Sequence, residues 1–130
     1  MDKRHGGCHC GALKFEVVGP LRDVIFCHCT QCRKQTGNYV GATRVDGDRI
    51  TIEGAENLTW YAASDEAKRG FCSICGSALF WKSVGSDGIS IMAGAFDNPT
   101  GLKAQSHIFV ADKGDYYAIC DGLPQYRGND

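Results

Sequence analysis

The chain has 130 residues, 14 Lys and Arg against 15 Asp and Glu, and a net charge of −1, which fits one domain with a real core. It has no basic field to hold nucleic acid or an anionic membrane, and no acidic run that would make a tail. The opening MDKRHGG is polar and no apolar stretch approaches membrane-spanning length, so a soluble, cytoplasmic protein without nucleic-acid or membrane partners is expected.

Seventeen Gly against three Pro suit a turn-rich β chain. Residues 12–19 (ALKFEVVG) alternate into a short strand that ends at Gly19-Pro20. Residues 23–29 (DVIFCHC) read as a second strand running into a cysteine cluster, and 31–37 (QCRKQTG) as one or two helical turns closed by Gly37. YVGATRV and RITIEG flank Asp46-Gly47-Asp48, a hairpin signal. LTWYAA, KRGFCSI, ALFWKSV and GISIMAGAF continue the strand-turn rhythm to residue 96, with Trp60, Phe80, Trp81 and Phe96 as core candidates. Asp97-Asn98-Pro99 reads as a turn. SHIFVAD and DYYAICD are the last strand candidates. No long amphipathic helix, linker or repeat interrupts this, so a mainly β single domain over 1–130 with short helical turns is expected.

The eight cysteines carry the chemistry. Their even number invites disulfides, but nothing marks an oxidising compartment and their spacing is tight and local, which favours metal. Phe71-Cys72-Ser73-Ile74-Cys75-Gly76 holds a C-x-x-C-G knuckle: two thiolates chelate one metal, and Gly lets the backbone turn its N–H groups toward sulfur. One knuckle supplies two ligands, and Cys8-His9-Cys10-Gly11 is the other isolated pair with Gly after Cys. Pairing Cys8 and Cys10 with Cys72 and Cys75 closes a four-cysteine structural zinc site.

Cys27, Cys29 and Cys32 remain, three thiols within six residues. Their fourth partner is open among His5, His9, His28, His107, Cys120, water and a substrate. His28 alternates with its neighbours on an extended strand and is expected to point away from them. An open fourth position is the pattern of a catalytic zinc, whereas completion by Cys120 or a histidine makes a second closed site. A zinc with three thiolates carries net −1, so it activates water poorly but can still take up a substrate thiol as thiolate. Arg33 and Lys34 follow the third ligand and are read either as compensating cations that hold a substrate carboxylate or as solvated surface charge.

GGCHCGALKFEV, FCHCTQCRKQTG, FCSICGSALFW and HIFVADKGDYYAICDGLPQY, in this order, resemble the glutathione-dependent formaldehyde-activating enzyme family over residues 5–126. The resemblance implies a tent-like all-β fold with two zinc ions: a structural one on Cys8, Cys10, Cys72 and Cys75 and a catalytic one on Cys27, Cys29 and Cys32. It also implies a carbon–sulfur lyase activity, the reversible condensation of glutathione with formaldehyde to S-hydroxymethylglutathione, with Arg33 or Lys34 steadying the anionic tripeptide. The tail departs from the family pattern at Tyr116, where Trp is common, and at the extra Cys120, expected as a buried thiol in a strand. His107 is expected to be a satisfied structural histidine. The competing function is a non-catalytic zinc module used for protein binding. The sequence leaves the oligomeric state open.

Overall fold

A computed structural model describes residues 2–129. The described residues form strands β1 (Lys3–Gly7), β2 (Lys14–Val18) and β3 (Val24–Cys27), helix α1 (Thr30–Thr36), and strands β4 (Val40–Asp46), β5 (Ile50–Glu53), β6 (Leu58–Ala62), β7 (Ala67–Cys72), β8 (Ala78–Ser83), β9 (Gly88–Met92) and β10 (Ala104–Ile108). Four 3-10 turns add to α1, so the chain is mainly β with short helical turns, as its patterning predicts. No helix of the described residues is long and apolar enough to cross a membrane.

The chain groups into two compact units, Met1–Arg22 with Thr43–Gly101, and Asp23–Ala42 with Leu102–Asp130. In the first, β1, β2 and β5 form an antiparallel sheet, and β9, β8, β7 and β6 follow one another in a ladder. Strand β2 turns Phe15 and Val17 inward, and the Phe15 ring meets Phe80 and Phe96 edge-on at 5.8 and 5.1 Å. Leu13, Leu79, Phe80 and Ile91 complete this core, each at most 1% exposed. In the second unit β3 lies between β10, parallel to it, and the start of β4, antiparallel to it.

Strand β1 escapes the sequence reading because its one buried position is a glycine, Gly6. Its polar side chains face a partner instead: Lys3 and His5 both approach the Glu16 carboxylate of β2, at 3.7 and 2.9 Å. Gly6 is required by close approach, since a Cβ there would stand 2.2 Å from the Ala95 carbonyl and 2.5 Å from the Phe15 ring. Gly6→Ala is therefore expected to cost about 1–3 kcal/mol of overpacking, read as a lowered denaturation midpoint at unchanged slope.

Two strand expectations need correction. Residues 40–46 and 50–53 are strands, but they do not form a hairpin. Residues 47–49 wind into a 3-10 turn, the Gly47 N–H goes to the Asp87 carbonyl at 2.9 Å, and β5 pairs with β2. Residues 115–121 are not a strand. The free edge of β10 is taken by residues 124–126, with the His107 N–H on the Pro124 carbonyl and the Tyr126 N–H on the His107 carbonyl, both at 2.9 Å. The 113–117 segment curls on itself instead, with Lys113 Nζ donating to the carbonyls of Gly114 and Tyr117. Cys120 is consequently exposed, not buried.

Candidate metal centres

All eight cysteines are free thiols, and the sulfurs of seven of them gather in two places. Cys8, Cys10, Cys72 and Cys75 converge in the first unit, with all four sulfurs within 4.8 Å of one another. Gly11 and Gly76 hold positive φ angles of 84° and 78°, which lets the chain reverse after each cysteine pair. The reversal at the knuckle directs the N–H groups of Ile74 and Cys75 to the Cys72 sulfur at 3.4 and 3.5 Å, and the Leu13 N–H reaches Cys8 at 3.3 Å. The Ser77 hydroxyl and backbone lower the Cys75 thiol to about 5.

The donor spacing tests the fit to zinc. Tetrahedral zinc with Zn–S bonds of about 2.3 Å holds its sulfurs about 3.8 Å apart. Cys8 and Cys10 stand 3.6 Å apart, and Cys10 and Cys72 3.8 Å apart. Four soft thiolate donors at this separation suit zinc.

Cys27, Cys29 and Cys32 converge in the second unit, also within 4.8 Å. Cys27 ends β3 and Cys32 lies on α1, with Cys29 between them as the N-cap of the helix, its sulfur accepting the Cys32 N–H at 3.3 Å. The helix closes at Gly37 with φ 84°, as the sequence predicts. Hydrogen bonds from the Cys27 and Cys32 thiols, joined by N–H groups of Cys32 and Gln31, hold Cys29 down at about 2. The same sulfurs, Cys29 first, and burial push Cys27 well up. Three sulfurs competing for protons in this way are a donor set suited to a soft cation.

Among the described residues no His, Asp, Glu or further Cys joins the three sulfurs, and Cys120 stays outside the group. Arg33 is half-buried on α1 directly after Cys32, and Lys34 is exposed. Both lie near the helix C-terminus, where cations also complement the helix dipole. A cavity of about 660 Å³ lies elsewhere, along the three-stranded sheet, lined among others by His5, Cys8, Lys14, Glu16, Glu53 and Asp97. It contains none of the three-cysteine group, so the site is defined by its donors and not by that cavity.

His28, one residue past the end of β3, stays outside the sulfur group, as its alternation with Cys27 and Cys29 predicts, and is 1% exposed. It meets His107, which is 3% exposed, and the rings of Tyr39 and Tyr117, with centroids 4.5 and 5.6 Å away. Burial, with the nearby His107 and Lys113, lowers His28 to about 4, so it is neutral at pH 7. His107 is fully partnered, between His28 and Asp121. Tyr39, Tyr117 and Asp121 are absent from the sequence-derived site. The available signal was His28 itself: a buried histidine facing away from a metal needs polar partners.

The fold and the sites define a mainly β protein with one set of four thiols and one set of three, each of which could hold a metal ion. The model of the family "Glutathione-dependent formaldehyde-activating enzyme" matches residues 3–112. A Halomonas elongata protein named "Putative glutathione-dependent formaldehyde-activating enzyme" is 39% identical over 128 residues, covering 88% of this chain and 79% of its own. A Schizosaccharomyces pombe protein named as an uncharacterized lyase is 26% identical, covering 90% of this chain and 85% of its own. The crystal structure of a Rhodobacter sphaeroides protein superposes with a TM-score of 0.57 at 22% identity, over 94% of this chain and 98% of that one, which supports the fold. The chain belongs to the glutathione-dependent formaldehyde-activating enzyme family.

Proposed function

We propose that this protein is a zinc-dependent carbon–sulfur lyase-type enzyme that joins glutathione reversibly to formaldehyde. The observation that carries this reading is the gathering of Cys27, Cys29 and Cys32 without a fourth protein donor among the described residues. The family membership supports the choice of thiol and aldehyde. In this reading the whole chain acts as one functional domain. A cytoplasmic setting, in which thiols stay reduced, suits its eight free cysteines.

Cys8, Cys10, Cys72 and Cys75 would hold a structural zinc, and Cys27, Cys29 and Cys32 a second, catalytic one. When bound there, zinc supplies the positive charge that keeps a thiol deprotonated at neutral pH. The condensation forms one S–C bond; the carbonyl π pair moves to oxygen, and the proton lost by the thiol ends on that oxygen. No atom leaves and no oxidant is needed, so the task is to deprotonate, orient and supply one proton. Arg33, beside Cys32, offers a planar pair of donors to a glutathione carboxylate.

The test is exchange spectroscopy on protein carrying two zinc ions per chain, following glutathione and its formaldehyde adduct. Interconversion well above the uncatalysed rate is expected. A background rate at full zinc content would leave a metal-held binding module in its place.

A further inference from the structure

Arg33 lies one helical turn beyond Cys29, with its backbone N–H on the Cys29 carbonyl at 2.9 Å. Positions 29, 33 and 37 therefore follow one another along one face of α1. Arg33 is half-buried, yet among the described residues its guanidinium makes no hydrogen bond or ion pair, either to a carboxylate or to the three sulfurs. The 113–117 segment meets the far end of the helix, where the Tyr116 hydroxyl donates to the Gly37 carbonyl and Asn38 Oδ1 at 3.4 and 3.1 Å.

The same segment carries a second cation. Lys113 Nζ stands 4.6 Å from the centre of the Tyr117 ring and donates to the carbonyls of Gly114 and Tyr117. An ammonium has three N–H donors, so these two carbonyls leave one of them to give. Lys113 is half-buried, and among the described residues no carboxylate pairs with it, although the exposed Asp112 and Asp115 are close in sequence.

Tyr117 links the two cations to the thiols. Its ring packs on His28, which stands in sequence between Cys27 and Cys29, and on Tyr39. Burial raises the Tyr117 phenol, while the charge of Arg33 pulls it down, so the guanidinium lies within electrostatic reach of that ring. Tyr116, Tyr117 and Tyr39 make a continuous aromatic surface, with neighbouring rings 5.0 and 5.2 Å apart. A half-buried cation has lost water that only an anion replaces in full, and here the chain supplies none. A fitting ligand brings two carboxylates, joined by a chain that lies against the rings. Glutathione has this form, with one carboxylate at each end and the thiol between them.

We infer that Lys113 is a specificity-determining residue of the three-cysteine site: it takes one carboxylate of the thiol substrate while Arg33 takes the other. The pair then selects a peptide thiol with two carboxylates over thiols with one or none. This rests on the reading above for the thiol, and not on its catalytic step. Arg33 offers a planar fork and Lys113 a single directed N–H, so the two cations are not equivalent partners.

The experiment is calorimetric titration of the zinc-loaded full chain with glutathione and with its two monoethyl esters, one at the glycine carboxylate and one at the γ-glutamyl carboxylate. Each ester keeps the thiol, so a difference between ligands reports the carboxylates alone. The parent should bind each ester about tenfold more weakly than glutathione, the loss of one charge-assisted contact. Both gaps should narrow at high salt. Lys113→Met should close the gap for one ester and Arg33→Met the gap for the other, in each case because glutathione itself binds about tenfold more weakly. Lys113→Arg should keep both gaps. If Lys113 only clasps the 113–117 turn, or only balances the thiolates, Lys113→Met will weaken all three ligands alike and keep both gaps, which overturns the inference. A parent that binds the esters as tightly as glutathione overturns it too, even with formaldehyde exchange intact. A parent at background exchange that still shows the crossed pattern would end the formaldehyde reading and leave the inference standing.

Discussion

Cys72→Ser is expected to cost at least about 3 kcal/mol of stability and one zinc per chain. Cys72 is fully buried at the end of β7. Its sulfur accepts the N–H groups of Ile74 and Cys75 and lies 3.8 Å from Cys10, so it is the hub of the four-thiol group. Serine has a shorter bond, a harder donor and a far higher pKa, so it neither reaches nor deprotonates as the thiol does. A metal held there would tie residues 8–10 to residues 72–75 and would contribute its binding free energy to folding, because the unfolded chain has no such site. Thermal denaturation with metal analysis checks this: the midpoint should fall by more than about 10 °C. Chelator treatment of the parent should reach the same low midpoint. A variant that kept two zinc ions and melted within about 2 °C of the parent would refute the structural role.

The sequence exposed most of this site and less of the fold around it. Both cysteine groups were legible because metal ligation imposes a local spacing, two thiols per tight turn, that survives whatever the rest of the chain does. The helix from Thr30 was legible through Gly37, and the strands at β2, β3 and β6–β9 through alternation and turn residues. Partner choice was not local. The 46–48 turn reads as a hairpin, yet Gly47 is taken by Asp87 and β5 by β2, and neither preference shows in the turn itself. Residues 115–121 alternate like a strand, but the edge they would need is occupied by residues 124–126. Strand β1 hides because a glycine, Gly6, admitted by close packing against Ala95 and Phe15, stands at its one buried position. The Asp121–His107–His28–Tyr117 line joins residues 93 positions apart in sequence (28 to 121), which no window of the chain can display.

Cys29→Ser should do the reverse of Cys72→Ser, removing activity while sparing the fold. Cys29 is the N-cap of α1, and its sulfur accepts the Cys32 N–H. A serine oxygen is a preferred N-cap, so the helix keeps that interaction and the expected stability change is about 1 kcal/mol or less. Cys29 is also the sulfur on which the other two converge: the thiols of Cys27 and Cys32 both hold it in the thiolate form. Serine cannot supply that charge at neutral pH, so the second zinc should be lost and the exchange should fall about a thousandfold or more, to background. Cys120→Ser is the matched control. Its exposed sulfur lies outside both groups, so two zinc ions and the parent rate should persist. Loss of the second zinc in Cys120→Ser would make Cys120 a ligand and close the site. Retention of exchange in Cys29→Ser would separate the chemistry from the three-cysteine group altogether. With each variant assayed below its own melting point, Cys29→Ser should be folded and inactive, and Cys72→Ser active but unstable. That pairing divides the seven cysteines by what they do, which their shared chemistry as thiolate donors does not.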